Sequence, residues 1–110
     1  MISMRAVASP ERVRTLALPA LAEPLRWRIV QLLADEELCV CHLVEALDVS
    51  QSLVSHHLKV LRDAGLVTSE RWSYWTYYRL VPHVLHTLAT GLNELAVAAT
   101  ERGAERRPCC

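Results

Sequence analysis

The chain has 110 residues, 52% of them hydrophobic, and its 12 basic and 12 acidic side chains give a formal net charge of zero. This length favours one compact domain, and no apolar stretch approaches the roughly 20 residues that a membrane-spanning helix needs. We therefore expect a cytoplasmic protein with no membrane association, in whose reducing environment four cysteines favour metal ligands or redox thiols over disulfide bonds.

The charges are unevenly distributed, which matters because phosphate neutralisation drives most nucleic-acid binding. Residues 35–48 contain five acidic side chains and neither lysine nor arginine. Residues 50–79 contain two acidic side chains against four basic ones, Lys59, Arg62, Arg71 and Arg79. The sequence therefore predicts a mildly basic segment whose binding to DNA is salt-sensitive and also depends on dimerisation and helix termini.

The first half of the chain has the spacing of apolar residues that is typical of helices. Four helices are predicted, at 10–22, 24–35, about 40–47 and 51–64. The last two are joined by a tight turn of three residues, 48–50. Ser50 is a good N-cap for the fourth helix, and Gly65 is expected to end it in the left-handed conformation.

The second half predicts a β-hairpin over 66–80, with its reversal at Ser73-Tyr74. Five of the six aromatic residues lie in this hairpin, and we expect four of them to pack against the helices: Trp72, Trp75, Tyr77 and Tyr78. A last helix begins at Pro82 and carries an apolar stripe that is wide enough to need a partner.

Two helices joined by a short turn and followed at once by a hairpin form a winged helix-turn-helix. We predict a mainly α fold of the α+β class, with about five helices and a two-stranded β-hairpin wing. Residues 1–9 are interpreted as an N-terminal extension, 10–102 as the DNA-binding and dimerisation domain, and 103–110 as a flexible, cysteine-bearing tail.

The fourth helix has an apolar face formed by Val54, Leu58 and Leu61, which leaves its polar side chains outside. Glutamine pairs well with adenine, while serine, histidine, lysine and arginine bind bases or phosphates. His57 adjoins the apolar face and is interpreted as a half-buried histidine. The predicted DNA-binding residues are Gln51, Ser52, Ser55, His56, Lys59 and Arg62 of this helix and Arg71 and Arg79 of the hairpin.

The chain resembles the arsenic-responsive ArsR branch of the ArsR/SmtB repressors in three stretches: ELCVCHL at 37–43, VSQSLVSHHLKVLRDAGLV at 49–67 and WTYYRL at 75–80. The resemblance covers about residues 11–98. It implies a homodimer joined through its first and last helices, with a recognition helix at 51–64 and a wing at 66–80 that bind double-stranded operator DNA. The wing tip departs from the family, which often has glycine and a basic residue where this chain has Ser73-Tyr74.

Cys39 and Cys41 are the first pair of candidate metal ligands. Inside a regular helix their side chains would point about 200° apart, because each residue turns the chain by roughly 100°. The pair must therefore sit at a frayed helix start, or ion binding must unwind that turn. Unwinding would act directly on the helix-turn-helix and so provide a switch.

The arsenic-responsive pattern has a third cysteine three residues after the second, where this chain has Val44. The other candidate thiolates are Cys109 and Cys110, from the same or the partner subunit. Three thiolates favour arsenite or Sb(III), Hg(II) accepts two or three, and Cd(II) or Zn(II) prefers four ligands, with His42 a candidate nitrogen. We predict a repressor that leaves its operator on binding arsenite, and keep the other ions as alternatives.

Other functions account for fewer features. A redox sensor would oxidise one of the cysteine pairs, but an adjacent pair closes a strained ring and Cys-x-Cys is not the usual redox spacing. An enzyme is not expected, because the chain has no phosphate-binding glycine loop. A purely structural module would bury Cys39 and Cys41 and bind no DNA. His83 and His86 have a spacing that suits zinc, but lack correctly spaced acidic partners around Glu94 and are interpreted as surface histidines.

Overall fold

The computed structural model describes residues 9–104 and 106–109, so most of the predicted N-terminal extension and Cys110 lie outside the described residues. Five helices and three strands follow one another along the chain. They are α1 (Pro10–Ala22), α2 (Pro24–Asp35), β1 (Leu38–Cys39), α3 (Val40–Leu47), α4 (Gln51–Asp63), β2 (Val67–Trp72), β3 (Trp75–Leu80) and α5 (Pro82–Glu101). The five predicted helices are confirmed. Within the described ranges, none is long and apolar enough to cross a membrane.

Local side-chain caps set the first helix boundaries. The Ser9 hydroxyl accepts a hydrogen bond from the Arg12 N–H at 3.1 Å, and the Glu23 carboxylate accepts one from the Arg26 N–H at 2.8 Å. Both α1 and α2 have proline at the first helical position, where its missing N–H costs nothing. Glu23 is extended, as the residue before a proline prefers, and this separates α1 from α2.

The turn between α3 and α4 is the three-residue turn that the sequence predicts. Asp48 ends α3 in the left-handed region with φ 55°. The Ser50 hydroxyl then caps α4 by accepting a hydrogen bond from the Leu53 N–H at 3.1 Å. Gly65 follows α4 with φ 81°, a conformation that glycine adopts without strain. These residues give the helix-turn-helix its geometry.

The sheet has three antiparallel strands in the order β1-β3-β2, rather than the two that were predicted. The hairpin itself is confirmed, with Val67 opposite Leu80 and Trp72 opposite Trp75. The additional strand β1 pairs Leu38 with Tyr78 and Cys39 with Tyr77. A two-residue strand shows no alternating pattern, so only its tertiary pairing reveals it.

One apolar core joins α1, α2, α3, α4, the sheet and the first half of α5. The apolar face predicted for α4 is buried in this core. The largest fully buried side chains of the core are Ile29, Leu43, Val54, Leu58, Leu61, Leu66 and Val67. The second half of α5 extends away from this core and is exposed.

His57 anchors α4 to the junction between α1 and α2. It is buried, with 7% of its surface exposed, and its Nδ1 accepts a hydrogen bond from the Arg26 Nη1 at 3.0 Å. A guanidinium only donates, so the ring proton resides on Nε2. The Nε of Arg26 also donates to the Ala20 carbonyl at 2.7 Å. His57 thus adjoins the apolar face as interpreted, but it is buried and hydrogen-bonded rather than half-buried.

The protonation state of His57 is set by these surroundings. Burial lowers the pKa of His57 below its usual value, and the charge of Arg26 lowers it further against the opposing effect of Glu23. The folded chain therefore keeps this imidazole neutral at pH values where the unfolded chain already binds a proton.

We expect the free energy of unfolding to decrease as the pH falls below about 6.5, the pKa of an unperturbed histidine. This stability is complete above that value and is lost as the pH falls through the lowered pKa of His57. A His57→Leu variant should lose this part of the pH dependence, and about 1 kcal/mol at pH 8 because Arg26 loses its acceptor. Urea unfolding between pH 8 and 5 measures both. The control is His56→Ala at the exposed neighbouring position, and equal pH profiles for the two variants would contradict the assignment.

Candidate thiol site and nucleic-acid interface

Cys39 and Cys41 lie on either side of the start of α3. Cys39 ends β1 with extended backbone angles, φ −94° and ψ 171°, and Cys41 is the second residue of the helix. Because Cys39 is not helical, the two side chains do not diverge as they would inside a helix. Their Sγ atoms are 2.7 Å apart. The geometry therefore brings both thiols together without unwinding α3.

His42 joins the two thiols in a cluster of three donor groups, which we call the thiol site. Its Nδ1 accepts a hydrogen bond from the Cys39 N–H at 3.1 Å and lies 3.3 Å from the Cys39 Sγ. One ligand atom from each of the three residues lies within 4.8 Å of the other two. His42 thus also caps α3, a role the sequence analysis missed. The available signal was its place three residues after the N-cap, where capping side chains reach back to the backbone.

The two cysteine thiols differ in acidity. Burial raises the pKa of the Cys39 thiol, but the hydrogen bond from Cys41 and the backbone N–H groups at the start of α3 outweigh it, and the pKa lies below its ordinary value. The same sulfur–sulfur hydrogen bond raises the pKa of Cys41. Cys39 is therefore the more acidic of the two thiols. A thiolate at a helix N-terminus is the form that binds soft ions.

The thiol site fits a thiophilic ion. Metal–sulfur bonds are about 2.3 Å long, so two thiolates on one ion lie at most about 4.6 Å apart, a separation within reach of this pair. Cys39 is buried and Cys41 exposed, which shields one ligand and leaves the other open to solvent. Cys109 is exposed and, among residues 9–104 and 106–109, does not join this cluster.

The thiol site opens into a cavity shared with both elements that were predicted to bind DNA. The cavity has a volume of ≈ 710 Å³. Its wall includes Gln51 at the start of α4 and Tyr74 and Trp75 at the tip of the hairpin. The cavity therefore extends from the thiol site to the beginning of the predicted recognition helix and to the tip of the hairpin.

The six polar residues of α4 that were predicted to bind DNA are all exposed: Gln51, Ser52, Ser55, His56, Lys59 and Arg62. Lys59 forms an ion pair with Asp63 at 2.9 Å, one turn further along the helix. Both side chains are largely solvent-exposed, so this pair is weak and leaves Lys59 free to exchange its partner for a phosphate.

The aromatic side chains of the hairpin depart from the sequence analysis. Trp72 and Trp75 are 62% and 55% exposed, so the expectation that they pack against the helices was wrong. Tyr77 and Tyr78 are half-buried, as expected. The reason is that β1 pairs with β3 only at these two tyrosines, and the hairpin continues beyond them without a third strand.

The two hairpin arginines have different surroundings. Arg71 is exposed near the tip, where its Nε donates to the Ser73 carbonyl at 3.2 Å. The Nε of Arg79 lies 3.4 Å from the Thr68 hydroxyl, and its Nη1 lies 3.9 Å from the Glu37 carboxylate. Arg71 thus points its charge at the tip, whereas Arg79 is engaged at the base of the sheet.

The histidines of α5 lie apart from the thiol site. His83 and His86 are exposed and line a cavity of ≈ 390 Å³ with Arg14 and Glu94. In the part of the chain that the structure describes, they form no cluster of donor atoms close enough to hold an ion.

Known proteins are similar to this chain in the part that contains the thiol site and α4. A family model described as bacterial regulatory protein, arsR family, matches residues 23–69. The arsenic resistance transcriptional regulator ArsR1 of Pseudomonas putida is 44% identical over 74% of this chain and 61% of its own length. The chain spans 50% to 61% of the length of the first three curated relatives it matches.

Solved structures extend the likeness over nearly whole chains. A crystal structure of a possible transcriptional regulator for arsenical resistance is 36% identical with a TM-score of 0.66, covering 81% of this chain and 96% of its own. The homodimeric winged helix-turn-helix DNA-binding domain of a possible ArsR-family regulator from Mycobacterium bovis is 27% identical with a TM-score of 0.65, covering 96% and 97%. The chain therefore belongs to the arsR family of bacterial regulatory proteins.

Proposed function

We propose that this chain is a transcriptional repressor that binds operator DNA as a homodimer and leaves it when Cys39 and Cys41 bind arsenite or Sb(III). The observation that carries the proposal is the thiol site at the first turn of the helix-turn-helix, in one cavity with Gln51. We place its action in the cytoplasm, where its DNA would be, and assign regulation rather than catalysis to residues 10–102.

Recognition of DNA is assigned to the exposed side of α4. Its N-terminal residues Gln51, Ser52 and Ser55 suit contacts with base edges, and Lys59 and Arg62 suit phosphates. The chain has no excess of positive charge, so one copy neutralises few phosphates. Two copies on adjacent major grooves double these contacts, which is a physical reason for binding as a dimer.

A second copy of the chain would cover the unpaired apolar surface of α1 and α5. Leu92 and Leu95 in α5 are 56% and 70% exposed, and Leu16 and Leu18 in α1 are also exposed. Exposed apolar side chains that recur at helical spacing on one face of a helix are typical of a helix–helix interface. The relative from M. bovis described as homodimeric supports this arrangement.

Release of DNA follows from what ligand binding displaces at the thiol site. Binding through both sulfur atoms would replace the thiol protons and break the contact between Cys39 and Cys41. The Cys39 backbone belongs to β1 and its N–H is bonded to His42 in α3, so movement of this residue shifts the start of the helix-turn-helix. A coupling of only a few kcal/mol between thiol site and DNA surface is enough for release.

The third donor separates two classes of ion. Trivalent arsenic favours three thiolates, and we propose that Cys109 or Cys110 supplies the third, from the same subunit or its partner. The neighbouring nitrogen of His42 favours a second candidate function, the sensing of Zn(II), Cd(II) or Hg(II).

We expect Cys39→Ser and Cys41→Ser to bind operator within about twofold of the wild-type affinity, because both positions lie off the exposed side of α4. Neither variant should be released by arsenite at a concentration that fully releases the wild-type protein. Fluorescence anisotropy on a duplex that the purified protein selects from a random pool measures both properties. Loss of DNA binding by the variants would make these cysteines structural, and release of the wild type by peroxide alone would make them redox sensors.

Paired variants test the third donor. A Cys109→Ser/Cys110→Ser variant should need at least about tenfold more arsenite for release, because a soft trivalent ion loses one thiolate. His42→Ala removes a nitrogen donor as well as the hydrogen bond to the Cys39 N–H, so it should weaken release by Zn(II) or Cd(II) more strongly than release by arsenite. The same anisotropy titration with arsenite, antimonite, mercury, cadmium and zinc measures this. The opposite pattern would assign the third position to His42.

We expect Gln51→Ala/Ser55→Ala to bind the selected duplex at least about tenfold more weakly, since a good base contact contributes about 1–3 kcal/mol of discrimination. The variant should elute at the wild-type size, because neither side chain is buried. Unchanged affinity would show that α4 is not the recognition helix.

Leu95→Glu should weaken dimerisation by about two orders of magnitude, because an unpaired carboxylate would have to be buried. Asn93→Glu places the same charge at a polar position of α5 and serves as the control. Light scattering after size exclusion measures the mass of each variant. A Leu95→Glu variant that remains dimeric would contradict an interface at this end of α5.

A further inference from the structure

Three aromatic residues at the end of the hairpin form an exposed surface that the DNA contacts assigned to α4 do not use. Trp72, Tyr74 and Trp75, which we call the aromatic tip, are 62%, 87% and 55% exposed. Single exposed apolar residues are common, but three large ones within four positions form a patch of the kind that marks an interaction site.

The aromatic tip is held rigidly. The β2–β3 ladder runs without interruption to the pair Trp72 and Trp75, and a loop of two residues, Ser73 and Tyr74, closes it. Ser73 adopts φ 57°, and its carbonyl accepts a hydrogen bond from Arg71 at 3.2 Å. A patch on a tight turn loses little conformational entropy when it binds.

The position of the aromatic tip favours DNA as its partner. Tyr74 and Trp75 line the same cavity as Gln51, the first residue of α4, so the tip lies on the side of the molecule where α4 begins. A duplex read by the start of α4 therefore passes close to the hairpin. The tip is continuous with the surface already assigned to DNA.

The charges of the aromatic tip also suit a polyanion. Residues 71–75 themselves include Arg71 and no acidic side chain. Glu70 precedes them in the chain, and Glu45 lies in the wall of the cavity that Tyr74 also lines. Glu37 lines a second cavity beside Trp72 and Trp75, but its carboxylate lies 3.9 Å from the Arg79 guanidinium, which offsets its charge. Aromatic rings flanked by arginine are a combination that stacks on bases while the guanidinium contacts phosphate or the minor groove.

We propose that the aromatic tip enters the minor groove next to the bases read by α4 and inserts or stacks an aromatic ring at a base step. The inference rests on the proposed function, because it assumes that α4 binds the operator. An apolar wedge partly unstacks the step and bends the duplex, and the gain in contact area offsets that cost. The tip would thereby favour flexible steps flanking the operator.

Tyr74→Ala is the main test, because Tyr74 is the most exposed residue of the tip and pairs with no residue of the ladder. The probe is the duplex that the wild-type protein selects from a random pool, with 2-aminopurine placed in turn at each flanking step. Wild type and Tyr74→Phe should brighten 2-aminopurine at one step. Tyr74→Ala and Trp72→Ala should lose this signal and bind about tenfold more weakly, the size of one lost stacking contact. Their salt dependence should stay unchanged, since no phosphate contact is lost.

Trp27→Ala is the matched control, because Trp27 is also an exposed tryptophan, at 48%, but belongs to α2 and not to the hairpin. Affinities of the alanine variants of the tip within twofold of wild type, with no step brightened, would overturn the proposal and leave a protein partner as the reason for the exposed rings. Gln51→Ala/Ser55→Ala separates the two ideas. If that variant binds weakly while the tip variants bind normally, only the tip proposal fails; if it binds normally, the assignment of α4 fails.

Discussion

The pairing of β1 with β3 is the contact on which the relation between the thiol site and the DNA surface depends. It holds Cys39 in an extended conformation opposite Tyr77 and so fixes the residue at which α3 begins. If α3 started one turn earlier, Cys39 and Cys41 would point about 200° apart and could not act together. The two residues of β1 thus determine both the close approach of the two thiols and the start of the helix-turn-helix.

Communication between the thiol site and the DNA surface needs no long path in this fold. Cys39 is joined to β3 by its strand pairing and to α3 by its hydrogen bond with His42. The wing continues from β3, and α4 follows α3 after three residues. The buried side of α4 is held by the hydrogen bond between Arg26 and His57. Under the proposed function, a movement at the start of α3 therefore acts on a helix α4 that is anchored elsewhere, which favours a tilt of α4 over a general loosening.

The features that sequence reasoning predicted are those encoded by neighbouring residues. Prolines and capping side chains define the helix boundaries, and Ser50 and Gly65 bracket the recognition helix. The missed features depend on contacts between distant parts of the chain. Strand β1 exists only because Leu38 and Cys39 pair with β3, almost forty residues later in the chain. Trp72 and Trp75 are exposed because β1 is too short to extend alongside them.

The unequal exposure of the two thiols has a consequence for selectivity. A reagent in solution meets the exposed Cys41 before the buried Cys39. The second bond is then intramolecular and proceeds at a high effective concentration. A monovalent electrophile stops after one bond and leaves the inner sulfur unchanged. Under the proposed function, this arrangement distinguishes compounds by valence, because only an atom that exchanges at least two of its bonds engages both sulfurs.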